Sequence, residues 1–258
     1  MNCLRNKTEM YIKCLSTGDR ILRICCLVAC VIFDVTTFVY TILAGESRYV
    51  WICVVTLFLI ISPYVLEVFL KFKMCKPVFI IASFYSVMSV LGNCWKLYFI
   101  TNWWDKAMHA IGGIIFALLA VQLFHVFCEI PAEKKRKIMC ALFAFCFSIA
   151  LSAVWEMAEY STDSIFKTDM QTDTVISEFS SYLLGDEPGE LKKVTDIEEV
   201  IVNDEKLPIE GYLDTGLTDT MIDMLVEACG AFLVSAAYLI SRKGLPLVVP
   251  LHMQSAEK

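Results

Sequence analysis

Asp105, Lys106 and His109 stand within five residues of one another in WWDKAMHAIGG, residues 103–113, at the front edge of a long apolar run. Two other stretches have the same character. Glu156, Glu159 and Asp163 close an apolar run in SAVWEMAEYSTD, and Asp219, Asp223 and Glu227 open another in GLTDTMIDMLVEACGA. Carboxylates in number suit Mg²⁺, Mn²⁺ or Ca²⁺, and an added imidazole makes Zn²⁺, Mn²⁺ or Fe²⁺ reasonable. Carboxylates held close repel, so protons, Lys106 or a metal cation must neutralise them.

Spacing places these groups on helix faces, because residues three or four apart lie one above the other. Asp105, His109 and Gly113 share a face; so do Ser152, Glu156, Glu159 or Tyr160, and Asp163; so do Asp219, Asp223 and Glu227. Glu227 lies deepest, about 12 Å of helix beyond Asp219 at 1.5 Å per residue. Gly112, Gly113 and Gly230 let these helices approach closely. Asp105 and Asp219 also suit helix N-caps, each preceding an apolar run. His109, Glu156 and Asp223 lie inside their helices, where capping does not account for them.

The elements that carry these residues are membrane spans. The chain has 258 residues, 57% of them apolar, and a mean hydropathy of +0.62. Soluble domains rarely read so. Apolar runs long enough to cross a bilayer fall at about 21–43, 49–70, 78–101, 104–128, 137–160 and 218–241. The expected fold is all-α: a single membrane domain over 1–258, a polytopic bundle of about six helices. The partner is the lipid bilayer, and no nucleic-acid partner is expected. Twelve cysteines form no C-x-x-C pair and lie mostly in the spans, as small apolar packers.

Basic residues set the orientation. Arg5, Lys7, Lys13, Arg20 and Arg23 precede or open span one. Lys71, Lys73 and Lys76 follow span two, Lys134 to Lys137 follow span four, and Arg242, Lys243 and Lys258 follow span six. The alternate short links hold Arg48 alone. This pattern predicts that both termini are cytoplasmic; the bacterial cytoplasmic membrane is what the resemblance given below implies. The three acidic stretches then meet at one depth on the outer side. The outward link 161–217 holds 14 of the chain's 28 acids against four lysines, and reads as a partly ordered flap with a short strand at Glu199 to Val202. Elsewhere, Asp34 lies mid-span with no obvious partner. Glu67 sits beside Lys71 as a structural pair, Lys96 is placed to snorkel or to reach the acids, and His125 is interfacial.

The D-K-x-x-H-x-x-x-G of span four, the W-E-x-x-E of span five and GYLDTGLTDTMIDM at 211–224 resemble the YjdF-type bacterial inner-membrane proteins over about residues 100–235. The likeness implies that Asp105, Lys106, His109, Glu156, Glu159, Asp219 and Asp223 carry the family's pattern. A fainter similarity to VanZ-type proteins points to the outer envelope by analogy. Neither implies an agreed activity. Three functions follow from the residues. One is a cation site at the outer face acting on a lipid or envelope substrate, with His109, Glu156, Glu159, Asp219 and Asp223 as ligands. Glu156, Asp223 and Lys106 are its catalytic candidates, and Asp105, Asp163 and Glu227 its further polar groups. A divalent cation is the expected cofactor, its identity left open. The alternatives are an ion-coupled transporter, for which Asp34 and Glu227 are deep enough, and a non-catalytic envelope protein working through its acidic loop.

Overall fold

Ser16 opens the first long helix. Its side chain accepts from the Asp19 amide at 3.1 Å, and its own N–H donates to the Asp19 carboxylate at 3.2 Å, a reciprocal capping box that starts α1, Thr17–Leu43. The computed structural model describes residues 11–46, 49–128, 133–241 and 248–250. Arg5, Lys7, Arg48, Arg242, Lys243 and Lys258, part of the charge pattern above, lie outside the described residues. After α1 come α2, Val50–Phe69, and a short strand β1, Phe72–Met74. Three short helices follow: α3, Lys76–Tyr85; α4, Met88–Asn93; and α5, Leu97–Ile100. Then come α6, Trp104–Phe127, and α7, Glu133–Phe166. Six strands of two or three residues lead to α8, Leu217–Ile240, and β8, Val248–Pro250, which pairs antiparallel with β1. Among the described residues, five helices are long and apolar enough to cross a membrane: α1, α2, α6, α7 and α8.

The expected span at 78–101 is not one helix. Ser86 Oγ donates to the Ser83 carbonyl at 2.6 Å, and Val87 N turns back to Phe84 O at 3.1 Å, so the helical register slips at the end of α3. Asn93 Nδ2 likewise takes the Ser89 carbonyl at 3.1 Å at the end of α4. Lys96 then adopts a left-handed backbone (φ 61°) that restarts the chain as α5. Lys96 pairs with Glu46 at 3.4 Å on an exposed surface rather than with the acids of the later spans.

The chain divides into two compact units, one running to Leu151 and resuming at Val226, the other Ser152–Leu225. In the first, α1 and α2 lie antiparallel, clamped by buried charge. Glu67, 0% exposed, accepts from Arg23 Nε at 2.8 Å, from the Met74 N–H at 2.6 Å and from the Tyr11 hydroxyl. The Arg23 guanidinium stands 4.3 Å over the Phe79 ring. The partner of Glu67 is thus Arg23, not the neighbouring Lys71. Elsewhere in this unit α6, α7 and α8 pack through small residues, Ala117, Ala120, Cys140, Ala144 and Ala231, the close packing that holds helices together where lipid is as apolar as they are.

The second unit holds the end of α7, the acidic link and the start of α8. The link is more ordered than its polarity suggests. Antiparallel ladders join β2, Val175–Ile176, to β7, Tyr212–Leu213; β3, Phe179–Ser181, to β4, Lys192–Val194; and β5, Ile201–Val202, to β6, Glu205–Lys206. Asn203 and Asp204 (φ 52° and 67°) form the two-residue turn of the last pair, the left-handed geometry that matches strand twist. Asp163 gathers the Met170 and Gln171 amides and the Thr168 hydroxyl at 2.6–2.9 Å. Asp214 accepts from the amides of Thr174, Gly216 and Thr218 at 2.8–3.2 Å and so caps α8, the role its sequence gave to Asp219.

Two outcomes test this description. Glu67→Ala leaves Arg23 buried without a counter-charge and lowers stability by about 3–5 kcal/mol, whereas the double change of Arg23 and Glu67 to Leu costs far less; thermal unfolding of purified protein in detergent distinguishes them. Burial works to raise the Asp214 carboxyl pKa, but its bonds from Thr218, Thr174 and Gly216 prevail and hold it below the usual carboxylate range. Its stabilisation is therefore complete above the ordinary aspartate pKa of about 3.9 and is lost as pH falls through the lowered value. Amide exchange at Thr174, Gly216 and Thr218, corrected for intrinsic rate, stays slow down to about pH 4 and quickens below it, and Asp214→Asn removes that dependence.

Candidate cation site on helices six and eight

His109 lies in the second turn of α6, buried, with its two ring nitrogens facing two carboxylates. Nδ1 is 3.5 Å from Glu227 Oε2 of α8, and Nε2 is 3.8 Å from Asp105 Oδ1, one turn back on α6. Lys106 Nζ lies 3.2 Å from Asp105 Oδ2. The order is Glu227–His109–Asp105–Lys106, running from the buried side toward the half-exposed start of α6. Asp105 is not a cap: α6 begins at Trp104 without a side-chain cap, and Asp105 in its first turn faces His109 and Lys106.

Glycine makes the crossing of α6 and α8 close enough for this row. A Cβ on Gly113 would stand 2.2 Å from the Glu227 carbonyl oxygen, and one on Gly230 would stand 2.5 Å from the Ala110 carbonyl oxygen. Each helix thus meets the other's backbone where it has no side chain, and the contact that brings His109 to Glu227 depends on both gaps. Ser148 Oγ of α7 donates to the Gly113 carbonyl at 3.2 Å and adds a third helix to the crossing. Tyr85, at the broken end of α3, is the residue that sequence reasoning missed. Its hydroxyl would be 2.8 Å from a Cβ on Gly112, and its ring is near enough to Glu227 and Asp105 to feel both charges. No pattern in span three marked it, because the helix that delivers it ends there.

The remaining residues singled out by spacing lie in the second unit. Glu156 and Asp223 are buried, Asp223 to 1% exposure, while Glu159 and Asp219 are half-buried. Asp219 accepts from the Thr172 amide at 3.2 Å, and Asp163 is taken up by the loop amides described above. Burial raises the Asp169 carboxyl pKa, followed by the charges of Asp173, Asp163 and Asp219, so the acids of this link act on one another. On α8 itself, Asp223 and Glu227 are one turn apart and share a face.

Long apolar helices bundled through small residues, with buried ionisable groups turned to their neighbours, define a polytopic helical membrane protein. The chain belongs to the predicted membrane protein family DUF2238, whose model matches residues 24–244. That match supports neither of the finer likenesses, to YjdF-type or VanZ-type proteins, by name. No curated protein and no solved structure matches the chain.

A side chain added at the crossing tests its role. Gly113→Ala drives a methyl into the Glu227 backbone, an overpacking that lowers stability by about 1–3 kcal/mol. Gly45→Ala, a control where nothing lies within 4 Å but φ is +75°, shows the cost of backbone strain alone. Thermal unfolding in detergent reads both, and the Gly113 loss exceeds the control's.

Proposed function

We propose that this protein binds a divalent cation at the outward-facing ends of α6 and α8 and uses it on a lipid-linked or other envelope substrate. The observation that carries the reading is His109 set between Glu227 and Asp105. A metal-bound histidine characteristically presents its second ring nitrogen to a carboxylate, which fixes the tautomer and strengthens the donor. Glu227 stands to Nδ1 in that relation, which leaves Nε2, on the Asp105 side, to meet the ion. Asp105 is the oxygen donor beside it. Asp223 joins by the phase of α8: it sits one turn nearer the helix start than Glu227, on the same face, and its carboxylate is buried. Imidazole with two carboxylates suits Zn²⁺, Mn²⁺ or Fe²⁺ over Ca²⁺.

Such an ion would polarise a phosphate or carbonyl oxygen, or lower the pKa of a bound water. Lys106, half-exposed beside Asp105, is placed to attract an anionic headgroup. Glu156, Glu159 and Asp219 are the remaining acids assigned to the site by spacing, with Glu156 the candidate general base. The charge pattern of the links supports a cytoplasmic-membrane orientation with both termini inside, which turns this end of the helices outward.

Metal analysis of protein purified in detergent decides the matter. About one Mn²⁺, Zn²⁺ or Fe²⁺ per chain is expected. His109→Ala and Asp223→Asn abolish retention, while Glu227→Gln keeps the donors but weakens affinity by about 10- to 100-fold. A protein that retains no divalent ion, with all three substitutions silent, refutes the reading.

A further inference from the structure

Four basic residues in succession, Lys134, Lys135, Arg136 and Lys137, stand in the first turns of α7. Their side chains go different ways. Lys134 and Lys135 are exposed, as basic residues at a helix end ordinarily are when they snorkel to water. Lys137 donates to the Ser241 carbonyl, just past the end of α8, at 3.0 Å and lies 3.8 Å from Glu133. Arg136 turns inward. It is the first of a row, Arg136, Cys140, Ala144 and Ser148, spaced four residues apart on one helix face, and the last three are each 0% exposed. The Arg136 Nε is buried and has no hydrogen-bond partner, and among the described residues no carboxylate forms a salt bridge with this side chain.

Three helix ends meet at this guanidinium. His125, in the last turn of α6, and Tyr238, in the last turn of α8, lie 2.9 Å apart between Nε2 and Oη. The buried Tyr238 hydroxyl also bonds the Cys140 thiol, one turn along α7 from Arg136. The Arg136 charge reaches His125, Cys140 and Tyr238 alike. A buried N–H without an acceptor costs free energy, and a cation without a counter-charge costs more. An oxyanion relieves both, because a guanidinium presents Nε–H and one Nη–H in parallel to two oxygens of a phosphate. Arg136 as a whole is half-buried, so a group at the edge of the bundle can reach it. The helix surface around it is apolar: Phe127, Ile138 and Ile240 are exposed. A ligand that fits carries an anion and acyl chains together. This place lies about 24 Å along α6 from His109, at 1.5 Å per residue.

We propose that Arg136, with His125 and Tyr238 beside it, binds the phosphate headgroup of an anionic phospholipid in the leaflet opposite the His109 row. On the orientation proposed above that leaflet is the cytoplasmic one, where basic pockets between helices take acidic headgroups. Arg136 supplies the charge and the paired donors. Tyr238 and His125 hold each other and wall the pocket, and the exposed Lys134 and Lys135 draw the headgroup in at longer range. A zwitterionic lipid brings its own cation beside the phosphate and so gains less from Arg136.

The test is thermal unfolding of the full chain in a non-ionic detergent, with EDTA present to keep the divalent site out of the reading. Phosphatidylglycerol or phosphatidylcholine with the same acyl chains is titrated into the micelles, or inorganic phosphate into the buffer at constant ionic strength. Phosphatidylglycerol raises Tm saturably, whereas phosphatidylcholine and inorganic phosphate do not. Arg136→Gln abolishes the rise, and Lys134→Gln, which removes the same charge from the exposed side of α7, keeps it. Arg136→Lys retains the charge but not the fork, and weakens the apparent affinity about tenfold, the loss of one charge-assisted hydrogen bond. If Arg136→Gln fails to fold, Arg136→Lys against Lys134→Gln decides. An equal rise with both lipids overturns the proposal, as does a rise that Arg136→Lys leaves unchanged or that Lys134→Gln lowers as much as the Arg136 substitutions do. The full rise with inorganic phosphate alone identifies a free ion as the occupant and overturns it too. Divalent-metal retention by the His109 site is measured separately and does not bear on this result.

Discussion

A carboxylate inside a bilayer must find compensation within the protein, because neither lipid nor bulk water supplies it. The arrangement of the first unit follows from how that demand is met at Glu67. Arg23 answers it with two nitrogens, the Met74 amide and the Tyr11 hydroxyl complete it, and Phe79 covers the guanidinium. Four separate parts of the chain are thereby tied to one buried oxygen pair. At Glu227 the same demand is met differently, by the imidazole of His109 brought in across a crossing that two glycines make shallow.

The long spans were legible because a bilayer imposes length and hydropathy together, and α1, α2, α6, α7 and α8 carry both. The break in the third apolar segment was not. Proline and glycine usually announce such breaks, but here they come from Ser86 and Asn93 side chains capturing carbonyls of the preceding turn, which composition hides. The facing of Asp105 and His109 was visible from a four-residue spacing, and the closeness of Gly113 and Gly230 to a partner helix from their small size. Which acid His109 would meet was not visible, nor was the reach of Tyr85, since helical period says nothing about contacts between helices far apart in sequence. Glu67 shows the same limit: its nearest basic neighbour in sequence is Lys71, but its partner lies 44 residues away.

The acidic link illustrates how charge can mislead. Fourteen acids against four lysines read as a solvated run. Several of those acids have particular duties instead: Asp163 and Asp214 each collect backbone amides of the turns next to them, and Glu178 and Glu199 pair with Lys193 and Lys206 across or beside the ladders. The strand read at Glu199 to Val202 overlaps β5, but the alternation within the other short strands is too brief to register as a period, so the remaining ladders escape a pattern search even though they order the segment.

The pairing of β1 with β8 carries a topological corollary. Strands joined by backbone hydrogen bonds occupy one side of a membrane, so the chain between Met74 and Val248 must traverse the bilayer an even number of times. Helices α6, α7 and α8 are each long and apolar enough for one passage, three in all if each crosses once. Parity assigns the fourth to Lys76–Ile100, the interrupted stretch of α3, α4 and α5. A discontinuous strut would then make that traverse, and its joint at Ser86, Val87 and Met88 is buried among neighbouring protein, as a break at membrane depth requires.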